Sequence, residues 1–336
     1  MSGLRKSPSF STISHPPQNM TSSSKKVWPR RETVRGGRGA PPKETGANSP
    51  RSSPTPTRRK PDWVELGDGT GIPILYEDRS VIALDKPAWW MLVPHSWQRT
   101  TYNLQAALVS SIGAGYFWAR SRNLKFLRYV HRLDAETTGV LLFGKSPGAV
   151  ESYGDLFESR RMDKRYLAVV TGHPKQREWT CRLPLLADPK QVGRMQVDQR
   201  HGKEAETHFT VVRGGAETTL LEVRPRTGRT HQIRVHLAAE GHPVVGDSLY
   251  GAKQPLGELG STESRPASLK NRGGPDEGGA RLRRAEAGRA QKNMEEKFPL
   301  ALRAVELSYL DPFSKRPVRI RADSLEFLSA FGFAEE

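Results

Sequence analysis

Residues 129–145 read YVHRLDAETTGVLLFGK and set a single carboxylate, Asp134, between a basic pair, His131 and Arg132, and a Thr-Thr-Gly turn that runs into an apolar stretch. An aspartate among cations and hydrogen-bond donors stays ionised near neutrality, and an ionised carboxylate can act as a covalent nucleophile. The same residue can equally cap a turn or close an ion pair, and composition and spacing leave those structural roles open. Other chemistries find less support. His231 and His236 are five positions apart, not the i,i+4 pair that shows two metal ligands on one helix face, and no zincin glutamate accompanies them, so packing or hydrogen bonding is their expected role. No phosphate loop of the Gly-x-x-x-x-Gly-Lys-Ser/Thr type occurs, and the RGGRG stretch follows no strand. Acyl transfer lacks a Gly-x-Ser-x-Gly elbow, and Cys181 sits in an apolar TCRLPLL segment. A glycosidase needs two carboxylates across a bond, and Asp134 and Glu136 lie too close in sequence for that assignment.

The elements that must hold Asp134 are legible as periodicities. Residues 72–87 carry two short apolar runs split by Glu77-Asp78-Arg79 and stopped by Pro87, a hairpin pattern. Residues 102–113 place Leu104, Ala107 and Leu108 on one face with Gly113 as a stop, which predicts a helix. Strand patterns follow at 139–145, 165–172, 205–214 and 218–225, with a helix around 148–159 between the first two. Residues 230–241 read as a short helix, with Thr230 as N-cap, Ile233 and Leu237 one turn apart and Gly241 past the end. Residues 302–312 and 316–322 form a closing strand pair. Strands joined mostly by turns, with few helices, predict an α+β domain on a bent, mostly antiparallel mixed sheet.

The chain has 336 residues, only 35% of them hydrophobic, and carries a formal charge of +17. A pI near 10.1 points to a polyanionic partner, with nucleic acid as the first candidate. Residues 1–60 hold 13 Lys/Arg against two acids, Glu32 and Glu44, among many Ser, Pro and Gly, and read as a disordered basic arm. Residues 1–31 lack any acid, which leaves an organelle transit peptide as an alternative, although no amphipathic face is evident. The catalytic domain is expected over 61–336, interrupted by a Gly-, Arg-, Ser- and Glu-rich insertion at about 252–297 that reads as disordered, with a transient helix near 281–296. One cysteine excludes an intramolecular disulfide and a multi-cysteine zinc site. No apolar run approaches the ~18 residues of a membrane span, so a soluble protein of a reducing compartment is expected.

Beyond its residue types, HRLDAETTGVLLFGKS (131–146) closely resembles the signature of the RluA-type pseudouridine synthases, His-Arg-Leu-Asp followed by Thr-Ser-Gly and an apolar strand. Three further segments are similar to that family in its order: 74–88, a first hairpin; 163–172, a Lys-x-Tyr segment; and 228–251, GRTHQIRVHLAAEGHPVVGDSLYG. The resemblance covers about 72–251 and resumes at 298–322. It implies conversion of uridine in structured RNA to its C-glycoside isomer, without cofactor or metal, by a monomer needing no protein partner. Asp134 is then the nucleophile, Tyr166 the aromatic that stacks on the target base and helps remove a proton, and Arg234 the cation paired with the aspartate. Arg132 fills the gap left when the uridine leaves its stack, a step that costs a few kcal/mol. His131 joins the RNA-binding set as support for this loop, and Arg229 and Arg226, with Arg224, form a basic rim for the RNA backbone.

The sequence departs from the family at Trp89 and Trp90, where relatives usually carry a small Gly-Leu-like pair, at Thr138 in place of a common serine, and at Arg303, where relatives often have histidine. Many relatives precede the catalytic domain with a small RNA-binding domain; here the basic arm holds that place. Ribosomal RNA is the favoured substrate and tRNA the second, in the cytoplasm or, if the arm is a transit peptide, in an organelle. The alternative from another class is a catalytically silent protein that binds and folds RNA on the same scaffold. The joint presence of Asp134, Tyr166 and Arg234 favours the enzyme.

Overall fold

The computed structural model describes residues 59–92, 102–251 and 296–334, so the basic arm and nearly all of the predicted insertion lie outside the described residues. The order of elements is β1 Trp63–Glu65, β2 Gly71–Glu77, β3 Val81–Lys86, α1 Leu104–Gly113, α2 Phe117–Arg120, β4 Arg128–Tyr129, β5 Thr138–Gly144, α3 Pro147–Glu158, β6 Asp163–Thr171, β7 Glu178–Cys181, β8 Leu185–Ala187, β9 Met195–Val197, β10 Thr207–Gly214, β11 Thr218–Pro225, α4 Gln232–Ala239, β12 Leu302–Leu310, β13 Pro317–Arg321 and α5 Leu325–Ala330. The hairpin, the predicted strands and the helices predicted at 102–113, 148–159 and 230–241 form within a residue or two of their expected bounds, while the transient helix expected near 281–296 lies outside the described residues but for its last position. The short β1, β4, β7, β8 and β9 and the short helices α2 and α5 carry too few residues for a periodicity to show.

Eleven strands make one sheet in the order β1-β2-β3-β5-β12-β6-β11-β10-β7, with β13 on β12 and β4 on β5, while β8 and β9 pair separately. Every pairing is antiparallel except β12 with β5, which run parallel through Arg303–Thr138 and Ala304–Gly139. The sheet is therefore mixed and mostly antiparallel, as predicted. Register shifts at Ile74/Tyr76, Val211/Arg213 and Ala304/Glu306 introduce the bulges that bend such a sheet.

The apolar run after Asp134 is apolar because β5 is buried on both faces. Leu141 and Phe143 point into the larger core with Ile82 and Leu84 of β3, whereas Val140 and Leu142 point into a second core with Val81 and Ala83. Helix α3 closes that second face with Ala149, Tyr153 and Leu156; its N-terminus is capped by Ser146, whose Oγ accepts the Ala149 amide at 3.2 Å. At the start of β5, Gly139 has φ +109°, and a Cβ there would sit 2.0 Å from the Ala304 carbonyl oxygen. Only glycine lets β12 approach β5 at this junction, which fixes the Thr-Thr-Gly turn in space. Arg303, the departure beside it, is buried and donates to Asp85 at 2.7 Å and to the Asp323 carbonyl. Trp90 is buried edge-on to Tyr102, and Trp89, in the left-handed region at φ 70°, is half exposed and donates its indole N–H to the Glu296 carbonyl. Among the described residues no helix is long and apolar enough to cross a membrane.

Candidate active site

Asp134 lies in the loop from β4 to β5, and that loop is tied down from below by Lys86. The Lys86 side chain is 0% exposed, and its Nζ donates to the carbonyls of Pro87, Ala135 and Thr137, each at 2.9 Å. Burial pulls this amine down to about 7, countered by the negative charges of Asp134 and Glu136. Three carbonyl acceptors call for three protons, which only the ammonium form supplies, so the lysine acts as a charged clasp under the loop. The Thr137 amide closes the turn onto the Asp134 carbonyl at 3.2 Å.

His131 holds the other side of the loop. Its Nε2 accepts the Leu142 amide of β5 at 3.2 Å, and its ring stacks on Phe157 at 4.5 Å between centroids. Burial lowers this imidazole to about 3, with Lys164 adding to the effect. It is therefore neutral and its acceptor nitrogen is occupied, so the expectation that His131 belongs to the RNA-binding set is corrected: the partly exposed ring stands in for a strand partner of β5 and packs on Phe157.

The carboxylate of Asp134 is half-buried, with 23% of the side chain exposed. Arg234 of α4, only 4% exposed, brings Nη1 to 3.5 Å from Asp134 Oδ2 and to 3.6 Å from Glu136 Oε2. The predicted pairing is thus present but long. The close partner of Arg234 is Asp247, 0% exposed, which accepts from Nε at 2.7 Å and from Nη2 at 2.8 Å in a two-pronged bond. Asp247 Oδ1 also accepts the amides of Leu249 and Tyr250. Asp247 therefore fixes the guanidinium, and Asp134 faces a rigid cation without being locked to it. The surrounding carboxylates outweigh burial and hold Arg234 charged, above its ordinary range.

Helix α4 begins at His231, with φ 53° and ψ 19°, not at the predicted Thr230. Thr230 Oγ1 instead accepts from Arg132 at 3.4 Å, and Gln232 closes the turn by accepting the Arg229 amide at 3.0 Å. The left-handed conformation turns the His231 ring toward Asp134, with Nε2 3.8 Å from Oδ1, while Nδ1 lies 2.8 Å from the Tyr250 hydroxyl. That hydroxyl accepts the Met195 amide at 2.8 Å, so its proton is free for Nδ1 and the histidine proton is assigned to Nε2, facing the carboxylate. Burial lowers His231 from its ordinary value, with Asp134 opposing. The Tyr250 ring lies 5.3 Å from the Arg234 guanidinium carbon. His236, one turn on, hydrogen-bonds to Thr207 and the Leu183 carbonyl, the packing role expected of it.

Tyr166, on β6 between Ala304 of β12 and Val223 of β11, is buried, and burial together with the charge of Asp134 raises its phenol well above the ordinary value. It stays protonated. Arg132 and Arg226 are exposed; Arg226 lies 3.8 Å from Asp163, and Arg224 pairs with Glu222 at 2.8 Å. Arg229 spends Nε on the Glu204 carbonyl at 2.9 Å and is partly exposed. Asp134 and Arg234 thus meet, Tyr166 feels the Asp134 charge, and exposed Arg132 contacts Thr230 ahead of α4, whereas His131 turns to β5. Sequence reasoning missed Lys86, Asp247 and Tyr250, and gave His231 packing or hydrogen bonding without placing it beside Asp134. All four sit inside segments that resembled the family, but nothing in their spacing tells which carboxylate takes the tight bond. No group of His, Cys, Asp and Glu suited to a metal occurs among the described residues.

A half-buried carboxylate faces a buried arginine beside a mixed, mostly antiparallel sheet with few helices, and comparisons with known proteins show which family folds this way. A profile of the RNA pseudouridylate synthase family matches residues 80–239. The solved structure of human RNA Pseudouridylate Synthase Domain Containing 1 superposes with a TM-score of 0.50 at 25% identity, covering 76% of this chain and 84% of that one. Dual-specificity RNA pseudouridine synthase RluA of Salmonella typhi is 34% identical over 184 residues, 54% of this chain and 78% of the relative. Pseudouridylate synthase RPUSD2 of Homo sapiens is 35% identical over 181 residues, and the chain spans only 31% of its length. The chain belongs to the RluA-type pseudouridine synthase family.

Proposed function

We propose that this protein is an RNA pseudouridine synthase that isomerises uridines within structured RNA, with Asp134 as the nucleophile. In the reaction the N1–C1′ bond breaks, the base turns, a C5–C1′ bond forms, C5 gives up a proton and N1 gains one, so no redox partner or external group is consumed. The observation that carries the reading is the division of labour around Arg234. Asp247 takes the tight bonds, which leaves the Asp134 carboxylate charged, oriented and partly open to a substrate. A locked ion pair would have to break before attack; a 3.5 Å contact does not.

The target base must leave its stack to reach the carboxylate, and Arg132, exposed on the same loop as Asp134, is the group assigned to fill the vacated position. The neutral Tyr166 phenol offers a flat apolar face for the extruded base and serves as its stacking partner. His231 Nε2–H faces Asp134 Oδ1 and steadies the second oxygen. Arg226, Arg229 and Arg224 supply the basic rim. Ribosomal RNA is the favoured substrate and tRNA the second, in the cytoplasm; the printed name of one relative, Ribosomal large subunit pseudouridine synthase C of Salmonella typhi, 36% identical over 182 residues, supports that order.

Pseudouridine mapping in the RNA of cells whose only copy carries Asp134→Ala tests the reading. Loss of a defined set of sites is expected. Survival of every site contradicts the enzymatic assignment and favours the RNA-folding alternative.

A further inference from the structure

Far from Asp134, the β2–β3 turn and the segment after α2 enclose a cleft of about 700 Å³ lined by Lys60, Glu77, Asp78, Arg79, Arg122 and Lys125, with Lys145 at its base. Strands β3 and β5 are antiparallel, with Lys86 opposite Gly139 at one end and Val81 opposite Gly144 at the other. The cleft sits at the Val81 end, about 17 Å along the strands from the clasp under the catalytic loop. Its two acids are already neutralised or saturated. Glu77 accepts from Arg122 at 2.8 Å and from Lys145 at 2.6 Å, and both cations are largely buried. Asp78 accepts the amides of Ser80 and Val81 and the Tyr76 hydroxyl. On the rim, Lys60, Arg79 and Lys125 are exposed, and none has a carboxylate partner among the described residues. Arg128, also exposed, continues the rim along β4 toward the Asp134 loop.

A cleft whose acids are spent on inner cations, and whose remaining cations face solvent, is built for a polyanion. We propose that this cleft is a second RNA contact, in which Lys60, Arg79 and Lys125 bind consecutive phosphodiesters of the same RNA whose uridine enters the Asp134 site. The inference rests on the RNA-modifying reading above and adds to it a docking surface remote from the chemistry. Such contacts set register and affinity without reading bases.

The test compares the full chain with the triple variant Lys60→Ala/Arg79→Ala/Lys125→Ala, and with a control triple, Lys175→Ala/Arg177→Ala/Lys190→Ala, that removes the same charge from exposed positions elsewhere. The binding probe is an in vitro transcript of large-subunit ribosomal RNA, titrated across salt concentrations. Each lost phosphate contact lowers the slope of log K against log salt by about 0.9, so the cleft triple should lose about 2 to 3 and bind on the order of 10²-fold more weakly at physiological salt. The control triple should change little. Equal slopes for the cleft triple and the wild type overturn the proposal, and so does an equal loss in both triples. Saturable binding of inorganic phosphate that depends on the three residues, with an unchanged RNA slope, also overturns it in favour of a small-anion site. Failure of the parent reading is separately visible: wild-type protein that binds the transcript but forms no pseudouridine in any RNA refutes the enzyme and leaves the slopes to decide the cleft.

Discussion

Asp247→Asn probes the division of labour at Arg234 with a single atom. Asparagine keeps an oxygen for the Leu249 and Tyr250 amides and for Arg234 Nη2, but it sets an NH2 group where Oδ2 now accepts from Nε at 2.7 Å. One charge-assisted bond is lost, two donors are forced together, and a guanidinium that is 4% exposed loses its tightest counter-charge. Breaking a buried pair in this way costs about 3–5 kcal/mol, and the nearby Asp134 and Glu136 carboxylates keep the loss near the lower end, about 3 kcal/mol. With a urea dependence of about 2–3 kcal/mol per molar, the unfolding midpoint should fall by about 1 M. The freed guanidinium would also turn toward Asp134 and Glu136 and close the 3.5 Å gap. Displacements of that size cost on the order of 10²-fold in rate, and kcat should suffer more than KM because the proposed phosphate contacts lie elsewhere. Urea unfolding followed by circular dichroism and single-turnover assays on RNA read both effects. A variant with an unchanged midpoint and full activity would refute the idea that Asp247 holds the arginine in place.

Three further outcomes follow from the same geometry. Lys86→Met keeps the volume but leaves the buried Thr137 carbonyl without its lysine donor, at about 1–3 kcal/mol, and the part-buried Pro87 and Ala135 carbonyls at less, partly offset by no longer burying an ammonium, so thermal stability and activity should fall together. Gly139→Ala puts a methyl against the Ala304 carbonyl at φ +109° and should lower the melting temperature by well over the ~3 °C of a mild substitution in a chain of this size; an unchanged melt would refute the close approach of β12 to β5. The third concerns pH. His131 has a folded value of about 3 against an unfolded value near 6.5, so the unfolded chain binds the extra proton; stability from this group is complete above about pH 6.5 and is lost as pH falls toward 3. Between about pH 7 and pH 5 the loss is about 2 kcal/mol, and the burial of His231 and His236 works in the same direction. His131→Gln should flatten that slope in pH-dependent urea melts, and a parallel curve would contradict the buried neutral ring.

Much of the fold is legible because long elements repeat their pattern: β5 shows the apolar run Val140–Phe143 within its seven residues, and α3 its Ser-Pro start and its buried face. What the sequence hides is pairing at a distance. The parallel contact of β12 with β5 joins residues far apart in the chain, and only the glycine of the Thr-Thr-Gly turn hints at it. Asp134, Tyr166 and Arg234 emerge because their motifs are distinctive together. Asp247 and Lys86 do not, since an aspartate near a helix end and a lysine before proline are ordinary in isolation and acquire meaning only when burial assigns their partners. His131 misleads for the converse reason. Its basic neighbour Arg132 faces outward, and nothing in the sequence tells that the histidine turns inward to accept the Leu142 amide. The start of α4 is displaced by one residue because His231 adopts a left-handed conformation that propensity argues against and the site requires.

The most direct test of the nucleophile is to compare purified wild type and Asp134→Asn on unmodified RNA, with pseudouridine quantified after digestion to nucleosides. Asparagine preserves the size of the side chain and an acceptor for Arg234, so folding and RNA affinity should remain close to wild type. The account predicts that pseudouridine formation disappears while binding persists. Wild-type levels of pseudouridine from the Asp134→Asn protein would contradict it.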